Sequence, residues 1–214
     1  MPSKKINKTE PIRLVLSLLL HGKFCRLQTE RGEVFMSGEI KRIKRELAYE
    51  GTVLKVYKDH MEFENGNTEE WDYIHHDGAA AVVPVMDDGR ILMVSQFRNA
   101  LDRDTLEIPA GKLDSPDEPG IICAGRELEE ETGYKSEHLE WLINIRTTVA
   151  LCNEKIEIFL ARDLKASRQN LDENEYVTVK AFTVEELKEK IYAGEIEDSK
   201  TIAAVLAYAD KYGL

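Results

Sequence analysis

The stretch GKLDSPDEPGIICAGRELEEETGY, Gly111 to Tyr134, limits the fold of this chain more than any other part of its sequence. Successive residues of an α-helix turn by about 100°. With Glu127 set at zero, Glu131 falls at roughly 40° and Glu130 at roughly −60°, so three carboxylates share one face. Leu128, Ala124 and Ile121 fall at about 60–120°, an adjoining apolar stripe that can dock on a sheet. Glu129 points away toward solvent, and Arg126 lies beside Glu130, where its guanidinium can hold a carboxylate in place. Like charges at i, i+3 and i+4 repel by about a few tenths of a kcal/mol per pair. A hard cation reverses that sign, because Mg²⁺ takes oxygen ligands and shares them with substrate phosphates. An isolated acidic run reads as a solvated helix face. The whole spacing of Gly111, Glu118, Arg126-Glu127-Leu128, Glu130-Glu131 and Gly133-Tyr134 argues instead for a site.

Around this segment the hydrophobic pattern predicts mixed strands and helices. From Ala48 to Ile74 it alternates, giving strands over 51–59 and 60–66 joined at Asp59-His60, and a third over 69–77. Three short strands make an antiparallel sheet that needs a partner for one face. Two apolar runs, Ala79–Met86 and Ile91–Gln96, flank the turn Asp87-Asp88-Gly89-Arg90 and predict a hairpin covered on both faces. Pro109, Gly111, Pro116 and Pro119 mark a loop before the acidic helix, with Asp117 as its N-cap and Gly133 as its C-cap. Strand character returns over 138–151, 155–164 and 177–184, with a polar loop over 166–176. Thr183 followed by Glu186 forms a capping box for one helix, and residues 198–213 form a last amphipathic helix. No regular βαβ alternation appears, so the expected fold class is α/β (α+β), a sandwich with a mixed sheet. The expected organisation is an extension over 1–36, a small β-sheet region over 37–76 and a main domain over 77–214.

Charge narrows the partners. Of the 214 residues, 29 are Lys or Arg and 40 Asp or Glu, a net charge of −11, which repels nucleic-acid phosphates. A phosphate-ester substrate therefore needs a cation between itself and the protein. Cys25, Cys123 and Cys152 give neither a disulfide framework nor metal-ligand spacing and fit a reduced, cytoplasmic protein. The apolar run Leu14–Leu20, broken by Ser17, is far shorter than the roughly 20 residues that span a bilayer. Lys4, Lys5, Lys8 and Arg13 precede it as in a secretory leader, yet no small-x-small cleavage site follows, so no membrane attachment is expected.

Glu118-x7-Arg126-Glu127-Leu128-x-Glu130-Glu131-x-Gly133-Tyr134 resembles the box of the Nudix hydrolase family. Gly111 departs from that box, with six residues before Glu118 where the family has five. The resemblance implies a Nudix-type α/β/α sandwich with a mixed sheet, plus a small N-terminal antiparallel β-sheet domain. It also implies hydrolysis of a nucleoside diphosphate conjugate with Mg²⁺ or Mn²⁺. By the same resemblance Glu127 and Glu131 are metal ligands, Glu130 is a ligand or its neighbour, the Ala110 carbonyl is a further metal contact, and Arg126 and Glu118 orient the helix. Outside the box, LEIPAGKLD, SQFRNALDRDTLE, DENEYVTV and GEIEDSKTIAAV resemble the ADP-ribose pyrophosphatase group in order, from about Glu46 to the C-terminus. This implies hydrolysis of ADP-ribose to AMP and ribose 5-phosphate by a homodimer that exchanges the N-terminal sheet, both subunits building the cleft. Arg98 then resembles a residue on the diphosphate, Glu107 one near the ribose, and Glu154 the loop glutamate that acts on the water nucleophile or its metal. Where the group has a proline in the loop after the box, this chain has Thr148-Val149-Ala150-Leu151. Hydrolysis of a different sugar nucleotide or of a dinucleoside polyphosphate, and a non-catalytic ligand-sensing module, are the alternatives.

Other candidates are weaker. His75-His76 beside Asp77 sits at a strand end, where neighbouring side chains point to opposite faces, and is not expected to bind metal. Trp71, Tyr49 and Tyr57 read as sheet packing before they read as base-stacking groups, and Cys152 has no paired His in sequence.

Overall fold

A computed structural model describes residues 39–52, 54–171, 173 and 176–214, together with the backbone of 27–29 and 32–34. The reading of 1–36 as an extension therefore lies largely outside the described residues. The described residues fall into two compact units, one within Met1–Glu46 and Lys58–Trp71, the other Leu47–Tyr57 with Asp72–Leu214.

Strands β1 (Leu27–Thr29) and β2 (Gly32–Val34) pair antiparallel. Strands β3 (Ile40–Glu50), β4 (Lys55–Phe63) and β5 (Thr68–His75) lie side by side in that order. Three strands were expected here, but their limits differ. Asp59-His60 is not a turn: both residues lie inside β4, and the chain reverses at Glu64–Asn67, where Gly66 adopts φ +80° and its N–H donates to the Phe63 carbonyl at 2.8 Å. Asp59 stays in the strand because Arg45 grips it through two 2.6 Å hydrogen bonds, with Arg42 at 3.6 Å. That leaves the carboxylate buried, at 7% exposure, and compensated. The pattern also hides β3, whose side chains are exposed along nearly its whole length and so show no apolar alternation.

In the second unit the strand order β11-β12-β6-β9 builds a mixed sheet from β6 (Ala79–Pro84), β9 (Ala110–Lys112), β11 (His138–Arg146) and β12 (Lys155–Arg162). β12 runs parallel to β6, and the other two pairings are antiparallel. A second sheet has the order β14-β7-β8, from β7 (Ile91–Arg98), β8 (Arg103–Glu107) and β14 (Val177–Phe182). Short strands β10 (Tyr134–Lys135) and β13 (Lys165–Ala166) pair beside helix α1 (Gly120–Thr132).

Every residue of β6 is buried, and the strand's period of two divides it between two cores. Ala80 and Val82 join Cys123, Ala124 and Leu128 of α1 with Phe159 and Ala161. Ala79, Ala81 and Val83 join Ile156, Ile158 and Leu160 with Val184 and Leu187 of α2 (Val184–Tyr192) and Ala204, Val205 and Tyr208 of α3 (Ser199–Tyr212). Helices therefore cover both faces of this sheet, and the unit is the expected α/β/α sandwich.

Three local readings need correction. The turn Asp87–Arg90 forms, but β6 and β7 share only the bridge Val85↔Ile91 before entering different sheets, because β6 is claimed on both edges by β12 and β9. Pro119, not Asp117, is the N-cap of α1. Ile121 is 42% exposed, since the docked face of α1 turns toward Cys123, Ala124, Glu127, Leu128 and Glu131. The capping box is present: Glu186 N–H donates to Thr183 Oγ1 at 3.2 Å and Thr183 N–H to Glu186 Oε2 at 2.7 Å. No helix among the described residues is long and apolar enough to cross a membrane.

Gly133 ends α1 at φ +71°, its N–H donating to the Glu129 carbonyl at 2.9 Å. A Cβ there would lie 3.1 Å from the Gln169 nitrogen. Gly133→Ala should therefore cost about 1–3 kcal/mol of stability, read as a lower urea midpoint at unchanged slope. An unchanged midpoint would remove the requirement for glycine.

Candidate active site

The acidic face of α1 meets β9 across a cavity of about 420 Å³ lined by Arg98, Ala110, Gly111, Arg126, Glu127, Glu130 and Glu131, among others. Arg126 organises it. Its Nη1 donates to Glu127 Oε1 at 2.7 Å and to Glu130 Oε2 at 3.2 Å, and its Nη2 donates to the Lys112 carbonyl at 3.1 Å. Asp114 and Glu118 lie 3.5 and 3.6 Å from Nη2, and Glu118 Oε2 also accepts from the Asp114 N–H at 2.7 Å, tying the loop before the helix to the helix itself. Glu131, only 3% exposed, accepts from the Ala110 N–H at 3.0 Å. Burial works against the Arg126 charge, but its neighbours, Glu127 foremost and Glu130 with it, together outweigh that, and the guanidinium titrates above its ordinary range. The neighbouring Cys123 thiol is pushed up to about 12, by burial first and then by Glu127, so it stays protonated.

Gly111 leaves the room this arrangement needs. A Cβ at that position would lie 2.0 Å from Glu127 Oε1, so any side chain would expel the carboxylate from its place. Among the described residues no three acidic, His or Cys side chains already enclose an ion. The donor set nonetheless suits a hard cation: carboxylate oxygens on one helix face opposite the backbone of Ala110 and Gly111, beside a half-exposed Glu130.

A larger cleft of about 570 Å³ shares Arg98, Ala110, Gly111 and Lys112 with the first cavity and adds His76, Thr105, Glu107, Thr147, Glu154, Asp198 and Lys200. Here Arg98 and Glu107, both expected at substrate, hold each other through two 2.7 Å hydrogen bonds. Glu107 is 3% exposed and also accepts from Thr105 Oγ1 at 2.5 Å and from Lys200 Nζ. Burial alone would raise its pKa; Arg98, Lys200 and Thr105 together overcome that and hold it at about 2. Glu154 lies in the wall of this cleft rather than against the α1 carboxylates, accepting from Thr147 Oγ1 at 2.5 Å.

Sequence reasoning missed several residues that build the site. Lys200 follows the α3 N-cap Asp198, whose carboxylate accepts from Thr201 N–H at 2.9 Å and from Lys200 Nζ at 3.0 Å. Thr201 Oγ1 accepts from the Ile108 N–H at 2.9 Å and so fixes the strand end after Glu107. Gln169 Nε2 donates to the Glu131 carbonyl at 2.7 Å. The cap pattern Asp-Ser-Lys-Thr was visible in the sequence; its distance from Glu107 was not. His75 and His76 do diverge as expected, His75 toward Asp77 at 3.0 Å, but His76 lines the cleft.

Residues 74–205 match the NUDIX domain. The methanol dehydrogenase activator of Bacillus methanolicus is 40% identical over 169 residues, 78% of this chain and 91% of that protein. The ADP-ribose pyrophosphatase of Bacillus subtilis is 38% identical over the same shares, and that of Mycobacterium tuberculosis 30% identical over 79% of this chain and 83% of its own. A crystal structure of an ADP compounds hydrolase superposes with a TM-score of 0.75 at 19% identity, covering 83% of this chain and 96% of its own, which speaks to the fold alone.

Glu107 titrates at about 2 in the folded chain against its ordinary 4.5. Between those values the unfolded chain binds more protons, so stability rises with pH across the window and is lost as pH falls through it. At about 1.4 kcal/mol per pH unit this amounts to roughly 3 kcal/mol. Urea midpoints of the Glu107→Gln variant should be markedly flatter between pH 5 and 3 than those of the unsubstituted protein; equal slopes would contradict the assignment.

Proposed function

The chain belongs to the Nudix hydrolase family, and we propose that it hydrolyses ADP-ribose to AMP and ribose 5-phosphate in the presence of Mg²⁺ or Mn²⁺. The observation that carries the reading is the box spacing from Glu118 to Tyr134, whose carboxylates Glu127, Glu130 and Glu131 line a cavity continuous in its wall residues with the cleft of Arg98 and Glu154. The identity of 38% to an ADP-ribose pyrophosphatase over most of both chains supports the substrate class.

In this reading Glu127, Glu130, Glu131 and the Ala110 carbonyl hold the divalent ion, which when bound neutralises the diphosphate and lowers the pKa of a water. Arg98 engages Glu107 through Nε and Nη2, so its Nη1 is left to meet a phosphate oxygen. Glu107 then acts on the substrate through Arg98 and Lys200, fixing their charges at the cleft wall. Glu154 orients the attacking water and takes its proton. Arg126 and Glu118 keep the carboxylates of α1 in register, Gly111 leaves space for Glu127, and Gly133 stops the helix beyond Glu131. Positioning and charge stabilisation supply the rate in such chemistry, and no covalent intermediate is required. We also propose that residues 37–76 form a sheet exchanged in a homodimer, in keeping with the exposed Ile40, Ile43, Leu47 and Tyr49 of β3.

A second reading, hydrolysis of another nucleotide sugar, is favoured by 32% identity to a GDP-mannose pyrophosphatase of Cronobacter sakazakii over 61% of this chain.

Incubation with Mg²⁺ and a panel of nucleoside diphosphate conjugates and dinucleoside polyphosphates should yield AMP from ADP-ribose in preference to the others. Preferred turnover of GDP-mannose would select the second reading, and tight ADP-ribose binding without turnover would point to a sensor. Glu131→Gln, whose amide oxygen can still accept from Ala110, should lose turnover by orders of magnitude while keeping its melting temperature; near-normal turnover would remove Glu131 from the site. Deletion of 37–76 should convert a dimer to a monomer in sedimentation velocity, and a dimer that persists would exclude the exchanged sheet.

A further inference from the structure

The segment around Glu154 is stitched to residues 74–76 by contacts that link positions nearly 80 apart in sequence. Ile74 N–H donates to the Leu151 carbonyl at 2.7 Å, and Ile74 and Cys152 form a parallel bridge. The Asn153 side chain then brackets the backbone of His76: Oδ1 accepts from the His76 N–H at 2.7 Å, and Nδ2 donates to the His76 carbonyl at 3.0 Å. An amide used this way replaces one rung of a strand ladder. The residue beside Glu154 thus fixes where His76 stands relative to it.

The ring of His76 is oriented as well. The Gly78 N–H lies 3.0 Å from Nδ1, and a backbone amide can only donate. Nδ1 must therefore carry the lone pair, and the proton of the neutral ring sits on Nε2. That Nε2 faces Glu154 Oε1 at 3.6 Å, longer than a hydrogen bond, while Thr147 Oγ1 donates to the other oxygen, Oε2, at 2.5 Å. One carboxylate oxygen thus already has its donor, and the other has an imidazole N–H within 3.6 Å of it. Hydrogen bonds at reacting groups are often long before substrate binds and tighten in the complex.

We infer that His76 is a positioning residue for Glu154, its Nε2–H holding Oε1 so that the remaining lone pairs of the carboxylate point into the cleft. The inference rests on the proposed role of Glu154 toward the attacking water. It gives the Gly78 contact a purpose beyond the turn, because that contact selects the tautomer that donates. Thr147 performs the same service on Oε2, and Asn153 supports both by anchoring His76 to the segment that carries Glu154.

Two substitutions separate this role from mere support of the turn. His76→Asn keeps an acceptor near Nδ1 for the Gly78 N–H but has no donor that reaches Glu154; His76→Gln carries a donor out to the position of Nε2. With ADP-ribose and Mg²⁺, His76→Asn should lower kcat roughly tenfold or more with KM within about twofold, at an unchanged melting temperature. His76→Gln should restore most of kcat. The same His76→Asn change made in Glu154→Gln should have little further effect, because the two residues act as one unit. Full activity of His76→Asn, or equal losses in the Asn and Gln variants, would overturn the inference. Glu154→Gln with normal turnover would instead overturn the role of Glu154 itself, so the two failures are told apart.

Discussion

The guanidinium of Arg126 donates to Glu127 and Glu130 on its own helix and to the Lys112 carbonyl on the neighbouring strand, and those contacts hold an arrangement that charge repulsion would otherwise scatter. Carboxylates at i, i+3 and i+4 weaken a helix, and burying two of them, Glu127 and Glu131, adds a desolvation cost. Arg126 offsets both while staying charged at any accessible pH. Because one of its hydrogen bonds crosses to β9, it also sets the gap between helix and strand. That gap is where the Gly111 backbone and the Glu127 carboxylate come too close for any side chain.

A second ion cluster lines the adjoining cleft. Glu107 is buried deeper than a carboxylate normally tolerates, and it is held ionised by Arg98, Lys200 and Thr105. The two clusters share a logic. In each, a buried charge is fixed by several partners at once, near in sequence around Arg126 and far from it at Lys200, and one member, Glu130 or Arg98, reaches the solvent side of the cleft. Arg98, Ala110, Gly111 and Lys112 line both cavities, so a ligand spanning a diphosphate could touch both clusters at once.

Much of this was legible one segment at a time. The acidic face of α1, the Gly133 stop and the Thr183–Glu186 capping box all follow from spacings of three or four residues, and all are present. The misreadings have a common cause. Asp59-His60 looked like a turn because Asp favours turns; Arg45, on the adjacent strand, made it a strand residue. The turn at Asp87–Arg90 was correct as a turn, yet β6 parted from β7 because β12 and β9 took both of its edges. The extended β3 carried no apolar alternation to read, being exposed along nearly all of its length.

By itself, then, the sequence determined the family, the helix that carries the box and which of its side chains share a face, since a helix's geometry depends on neighbours within a few residues. Only the tertiary structure decided that Glu107 would be met by Lys200, that Ile108 would be fixed by Thr201, and that Asn153 would bracket His76 beside Glu154. Those pairs lie 93, 93 and 77 residues apart in sequence. No local periodicity encodes such meetings, because they depend on which sheet edges pair and which helix ends those edges reach.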